Sequence, residues 1–201
     1  MSKIIGIYRH RLATDGAGVT TLVGFWGCPL RCKYCLNPAS FDEKTKCQTL
    51  TPKELYDKVK LDDLYFLSTG GGVTFGGGEP LLNSEFIREF RTITGDRWHI
   101  SAETCLNVPE EKLTEALGSI DEFFVDIKDT NPEIYNAYTG LSNKRVFDNL
   151  KLLLTHKGRD AVTVRLPLIK GYNTEKDREK SEKLLRSMGI TKFDKFEYRV
   201  K

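Results

Sequence analysis

The strongest limit on the fold is an alternation of two periodicities along the chain. Segments rich in β-branched and aromatic residues, at 19–25, 72–75, 98–103, 122–127, 161–167 and 192–198, read as strands. Between them lie amphipathic stretches at 52–60, 84–93, 109–117, 146–156 and 175–188, which read as helices. Boundary chemistry supports the helices. Thr51-Pro52 with Glu54 forms a capping-box pattern with proline at the first helical position, and Asn83-Ser84 and Asn173-Thr174 precede the second and last stretches. Pro109-Glu110-Glu111 opens the third, and Gly189 stops the last. Strands and helices in strict alternation predict an α/β fold with a parallel sheet and right-handed crossovers. Six such units are too few for a closed eight-stranded barrel, which leaves a doubly wound open sheet or a partial barrel. Both bind ligands at the carboxyl ends of their strands. With 201 residues and no linker, repeat or low-complexity tract, a single domain over residues 1–201 is expected.

Composition removes several classes of function. No apolar run reaches roughly 18 residues, so no membrane span or membrane partner is expected. The opening MSKIIGIYRHR lacks the apolar core and small-residue cleavage site of a signal peptide, which points to the cytoplasm. A net charge of +3 is too even for nucleic acid, and the densest basic stretch, 176–186, is interleaved with Glu and Asp. Five cysteines in such a chain disfavour disulfides and favour metal binding or catalysis.

Three of the five sit in Gly27-Cys28-Pro29-Leu30-Arg31-Cys32-Lys33-Tyr34-Cys35, directly after the first strand. Soft thiolates at this spacing suit an iron–sulfur cluster or zinc. On a 4Fe–4S cluster, three cysteines leave one iron open to a small chelating substrate. A structural zinc site would want a fourth ligand, from Cys47 or one of His10, His99 and His156, but no second cysteine pair accompanies the loop. Elsewhere, the turn 76–79 follows a short strand and either brings its backbone close to a ligand or is a plain turn. Asp126 and Lys128 share a strand face, Arg165 interrupts an apolar strand, and Glu103 ends another. Charges at strand ends are costly unless they are ligand-bound or paired, for instance as Asp126–Lys128 or Asp126–Arg165.

With Tyr34 just before its last cysteine, the loop resembles that of the radical SAM superfamily. Further segments narrow the likeness: Asp15-Gly16-Ala17-Gly18, the run Gly76-Gly77-Gly78-Glu79-Pro80, Glu103-Thr104, Asp126-Ile127-Lys128, Gly140-Leu141-Ser142-Asn143 and Val164-Arg165-Leu166-Pro167. Together they are similar to the activating enzymes of glycyl radical enzymes over almost the whole chain. The resemblance implies a (β/α)6 partial TIM barrel with a 4Fe–4S cluster on Cys28, Cys32 and Cys35. It also implies S-adenosylmethionine (SAM), reductively cleaved to a 5′-deoxyadenosyl radical that takes hydrogen from a glycine of a partner enzyme. By the same resemblance Gly77, Gly78 and Glu79 hold the SAM amino group, and Lys128 and Arg165 its carboxylate and ribose side. Asp126, Glu103 and Thr104 line a monovalent-cation position. Tyr34 meets adenine mostly through its backbone, a packing aromatic being the plain alternative. The implied partners are a glycyl radical enzyme as protein substrate and a flavodoxin or ferredoxin as electron donor, with the chain itself a monomer.

Three positions depart from the pattern. Leu36 stands where many activases have His, and Glu103 where Asp is usual. A histidine after the sixth strand is unmatched, which leaves Tyr198 or Arg199 as substitutes. Between residues 36 and 76 only Cys47 occurs, so one cluster is expected, as in the short pyruvate formate-lyase type. Two other readings stay open. A radical SAM enzyme acting on a small molecule, such as a deazapurine synthase, would want a substrate pocket beyond the sixth strand. A non-catalytic metal-binding module would hold zinc or a four-ligand cluster and never turn over SAM.

Overall fold

A computed structural model describes residues 1–12 and 15–198 of the chain; Arg199 lies outside them. The elements run β1 (Ser2–Leu12), β2 (Val19–Phe25), β3 (Gln48–Leu50), α1 (Pro52–Val59), α2 (Asp63–Thr69), β4 (Gly72–Gly77), α3 (Ser84–Thr94) and β5 (His99–Thr104). They continue with α4 (Glu110–Ala116), β6 (Glu122–Asp126), α5 (Pro132–Thr139), α6 (Lys144–Lys157), β7 (Val162–Leu168), α7 (Glu175–Ser187) and β8 (Lys192–Glu197). The sheet order is β3-β1-β2-β4-β5-β6-β7-β8, and the six strands expected from sequence, β2 and β4 to β8, are all parallel. The sheet ends on β3 and β8 without closing, the open (β/α)6 partial barrel. At the β2 edge it gains β1, antiparallel to β2, and then β3, antiparallel to β1.

Local chemistry explains where the helices begin. Thr51 caps α1 in a two-way capping box, with Thr51 N donating to Glu54 Oε2 at 2.8 Å and Glu54 N to Thr51 Oγ1 at 3.2 Å. Thr174 and Asp177 repeat the device on α7. Asn83 makes no side-chain cap, because a short 3-10 turn from Pro80 runs straight into α3. Two helices and two strands were not anticipated. α2 buries only Phe66 and leaves Leu64, Tyr65 and Leu67 exposed, so it shows no clear apolar stripe. The outer half of β1 reads as polar because Arg9 and Arg11 are matched by partners from elsewhere, Asp62 and Asp15.

Strand alternation separates the two faces of the sheet. On β6, Phe123 and Val125 are fully buried under the helices, while Phe124 and Asp126 turn to the inner face. The helix layer supplies Leu55, Phe90, Leu113, Leu150 and Leu185 to the same core. Helices therefore cover one face, and the other surrounds a cavity at the carboxyl ends of the strands.

Candidate active site

The cavity encloses about 730 Å³, a size suited to a ligand of several tens of atoms. Its lining brings together Cys28, Cys32 and Cys35 with Gly77, Gly78, Glu79, Glu103, Thr104, Asp126, Lys128 and Arg165, residues spread over 138 positions of sequence. Of the cluster- and SAM-contacting residues that the resemblance implies, Tyr34 alone is not among that lining. Its ring packs at 6.1 Å from Tyr138 and 5.7 Å from Tyr172, centroid to centroid, as a packing aromatic does.

Backbone bonds on two sides hold the cysteine loop. Arg31 N donates to Thr139 O and Lys33 N to Tyr138 O, tying the loop to α5. The Arg31 side chain folds back to donate to the carbonyls of Cys28 at 2.7 Å and Leu30 at 2.9 Å, and lies over the Phe41 ring. On the other side, Gly78 N donates to Phe25 O and Glu79 N to Gly27 O. A Cβ on Gly78 would come within 2.1 Å of Gly27 O, and Gly77, at φ +88°, presses on Gly24. These glycines let the turn after β4 touch the cysteine loop backbone to backbone, so the two motifs form one unit.

Glu79 is 1% exposed and turns into the protein. Its Oε1 accepts from Leu81 N at 3.0 Å and Thr104 Oγ1 at 2.7 Å, and its Oε2 accepts from Cys105 N at 2.8 Å. Burial pushes its carboxyl up, with the donors from Thr104, Cys105 and Leu81 working against that shift. With these three bonds Glu79 pins the end of β5 to the turn after β4. Cys105, which lies outside the cysteine loop, lines the cavity beside Cys28. Its thiol hydrogen-bonds Cys28 and holds that sulfur below the usual thiol range, whereas burial pushes Cys32 up to about 11 and raises Cys35 too. The one signal that could have found it is its place directly after Glu103-Thr104 at a strand end.

The charged floor is arranged in pairs. Lys128, 6% exposed, donates to Asp126 Oδ2 at 2.9 Å and to the Tyr198 hydroxyl at 3.0 Å. Burial alone would lower its pKa, but Asp126 and Tyr198 outweigh burial and hold the ammonium charged, well above its ordinary value. Arg165 pairs with Glu103 at 2.6 Å rather than with Asp126, lies over the Phe124 ring, and has Asp194 at 3.5 Å. The register sets this up, because Asp126, Arg165 and Asp194 are consecutive cross-strand partners. Glu103, Thr104 and Asp126, which the resemblance places around a cation, enter three separate interactions, with Arg165, Glu79 and Lys128 respectively. Tyr198 does line the cavity, at the place where a substitute histidine was sought. At the rim, Leu36 is 73% exposed and Tyr8 is also exposed.

Three soft thiols on one anchored loop, facing one cavity with a buried ammonium, fit a thiolate-ligated cluster that has an open position for a zwitterionic ligand. No helix among the described residues is long and apolar enough to cross a membrane.

Residues 24–185 match the radical SAM superfamily. A pyruvate formate-lyase 2-activating enzyme of Escherichia coli is 30% identical over 208 residues, covering 88% of this chain and 70% of that protein. A (2S)-3-sulfopropanediol dehydratase activating enzyme of Klebsiella oxytoca is 28% identical over 222 residues, covering 80% of this chain and 69% of its own. The crystal structure of Streptococcus suis SuiB bound to S-adenosylmethionine shares the fold, with a TM-score of 0.66 at 12% identity over 87% of this chain and 39% of that one. The chain therefore belongs to the radical SAM superfamily, whose 4Fe–4S cluster and SAM are its cofactors, and within it to the activating enzymes of glycyl radical enzymes.

Proposed function

We propose that this enzyme installs a glycyl radical on a partner enzyme, holding its cluster on Cys28, Cys32 and Cys35 within a single domain. The observation that carries this reading is the meeting of the three thiols, the Gly77-Gly78 turn and the buried Lys128 in one cavity. When bound and reduced, the cluster with SAM supplies a 5′-deoxyadenosyl radical able to take a hydrogen atom from a glycine Cα.

The chain's own residues bind, orient and exclude water. Lys128, kept charged by Asp126 and Tyr198, donates to the SAM carboxylate. The carbonyls of Gly77 and Gly78 accept from the amino group, the turn being held in place by the bonds of Gly78 N to Phe25 O and Glu79 N to Gly27 O. Glu79 acts from behind by fixing Thr104 and Cys105. Tyr198 and Phe196 wall the side nearest β8 and take the part of the unmatched histidine. The exposed apolar rim at Tyr8 and Leu36 suits an extended protein segment carrying the target glycine. Five free cysteines, with thiol ligands that oxidation would disable, suit a reducing cytoplasm and a low-potential flavodoxin or ferredoxin as donor.

The test is anaerobic cluster reconstitution, then SAM and dithionite, with 5′-deoxyadenosine measured by chromatography. Adding a glycyl radical enzyme should then give the doublet of a glycyl radical by electron paramagnetic resonance. 5′-Deoxyadenosine formed with a small molecule consumed, and no glycyl signal, would move the reading to a small-molecule enzyme. Zinc in place of iron, or a cluster that never cleaves SAM, would sink it.

A further inference from the structure

The resemblance places a monovalent cation beside the SAM carboxylate, on Asp126, Glu103 and Thr104, and the side chains of this chain do not fit one. An alkali ion needs several oxygens turned toward one point. Here the Thr104 hydroxyl is used twice within the protein, donating to Glu79 at 2.7 Å and accepting from Leu106 N at 3.0 Å. Asp126 Oδ2 faces the Lys128 ammonium, and Glu103 Oε1 faces the Arg165 guanidinium.

The extra methylene of Glu103 matters to this arrangement. Its second oxygen, Oε2, lies where a Cβ on Gly76 would come within 3.0 Å, so the longer acid is accommodated by a glycine on the neighbouring strand. From there it reaches Arg165 across β6, over Phe124. Asp194, the cross-strand partner on β8, flanks the same guanidinium. Two fixed cations thus already stand among the carboxylates that would bind the ion, and a third positive charge there would be repelled by both.

We propose that this enzyme binds SAM without a monovalent cation, the Arg165 guanidinium holding the charge position that the ion would occupy. The inference rests on the reading that SAM binds in this cavity. A guanidinium does what the ion would do electrostatically, with the difference that it is covalently fixed and cannot be exchanged or washed out. It also predicts that the departure from Asp to Glu at position 103 is matched to Arg165 and does not mark a degraded site.

The test is calorimetric titration of SAM into the cluster-loaded full chain in potassium, sodium or tetramethylammonium chloride at equal ionic strength. The last cation is too large and too weakly coordinating to enter an oxygen site. The expected result is a Kd that changes by less than about threefold among the three salts. A saturable tightening with potassium or sodium of about threefold or more would overturn the inference and leave the SAM reading intact. Absence of SAM binding in every salt would overturn the reading itself, and the inference with it. Arg165→Gln supplies the converse. With the guanidinium gone, Glu103 loses its counter-charge while Asp126 keeps Lys128, and potassium drawn to Glu103 should now tighten SAM binding saturably. If that variant folds, as judged by circular dichroism, and still ignores potassium, Arg165 does not hold the ion's place. If it does not fold, the wild-type salt series decides alone.

Discussion

Arginine–carboxylate pairs occur at both ends of the parallel sheet, but they do different work. At the amino ends, Arg91 reaches the carbonyls of Ser119, Gly95 and Trp98 and the Asp121 carboxylate. Beside it, Arg97 Nε and Trp98 Nε1 both donate to Asp63, at 2.8 and 2.7 Å. These charges tie loops together at the surface around a stacked aromatic cluster. At the carboxyl ends, Arg165, Lys128, Glu103 and Asp126 surround an open cavity and hold one another charged. The amino end gains stability from its charges, whereas the carboxyl end keeps costly charges ready for a ligand. Substitutions should therefore separate cleanly by end: stability lost below, binding lost above.

The largest effect should come from the cavity end. Cys32→Ala should abolish the cluster's iron content and visible absorbance, while the cluster-free thermal midpoint moves by no more than about 3 °C, since only one small half-buried side chain shrinks. A large loss of stability would break the contrast. At the opposite end, Trp98 is buried among Tyr56, Phe66 and Phe90, with ring centroids 5.2, 5.2 and 6.2 Å away. Trp98→Ala should cost ~3–5 kcal/mol in urea unfolding, through lost transfer energy and the cavity left behind. The fraction still folded should bind SAM with unchanged affinity; a weakened Kd would show that the two ends are coupled.

Lys128→Met tests the upper end more finely. Removing one charge-assisted bond of ~1.5–3 kcal/mol should weaken SAM binding by about ten- to hundredfold, with the cluster intact. Folding stability should barely change, because the lost pair also removes a desolvated charge and Asp126 keeps access to the cavity. Strong destabilisation with unaltered SAM binding would return Lys128 to a purely structural role.

How far the sequence reached follows the same division between local and distant chemistry. The cysteine loop and the glycine turn are short-range patterns, so they were legible, as were the six parallel strands with their β-branched runs. Even the capping box of α1 could be read from four adjacent residues. The partner of Arg165 could not: Asp126 was the nearer choice in sequence, whereas Glu103 lies 62 residues away and is reached only once the register places β5, β6 and β7 side by side. Cys105 and the inward turn of Glu79 were hidden for the same reason, since their roles exist only through contacts that bring the ends of β4 and β5 to each other and to the cysteine loop. β1 escaped because its charges make sense only beside Asp62 and Asp15.

The smallest effect sharpens the comparison through pH. Asp63, on the amino-end surface, is held down to about 2 by its bonds from Arg97 and then from Trp98. Its unfolded value is near ~3.9, so its folded pKa is depressed and its contribution is complete above about pH 5. That contribution must fade as pH drops through the unfolded value toward about 2. Because the pair lies at the surface, with the Arg97 side chain half exposed, solvent screens it and the magnitude is modest, ~1 kcal/mol or less. Asp63→Asn should therefore be slightly less stable than the parent at neutral pH, with the gap closing steadily in urea unfolding below about pH 4. SAM affinity should stay the same throughout the range where both proteins are folded. A gap that stays constant with pH would mean that the asparagine merely repacks beside Trp98, and that the pairs at this end hold the loops by hydrogen bonding rather than by charge.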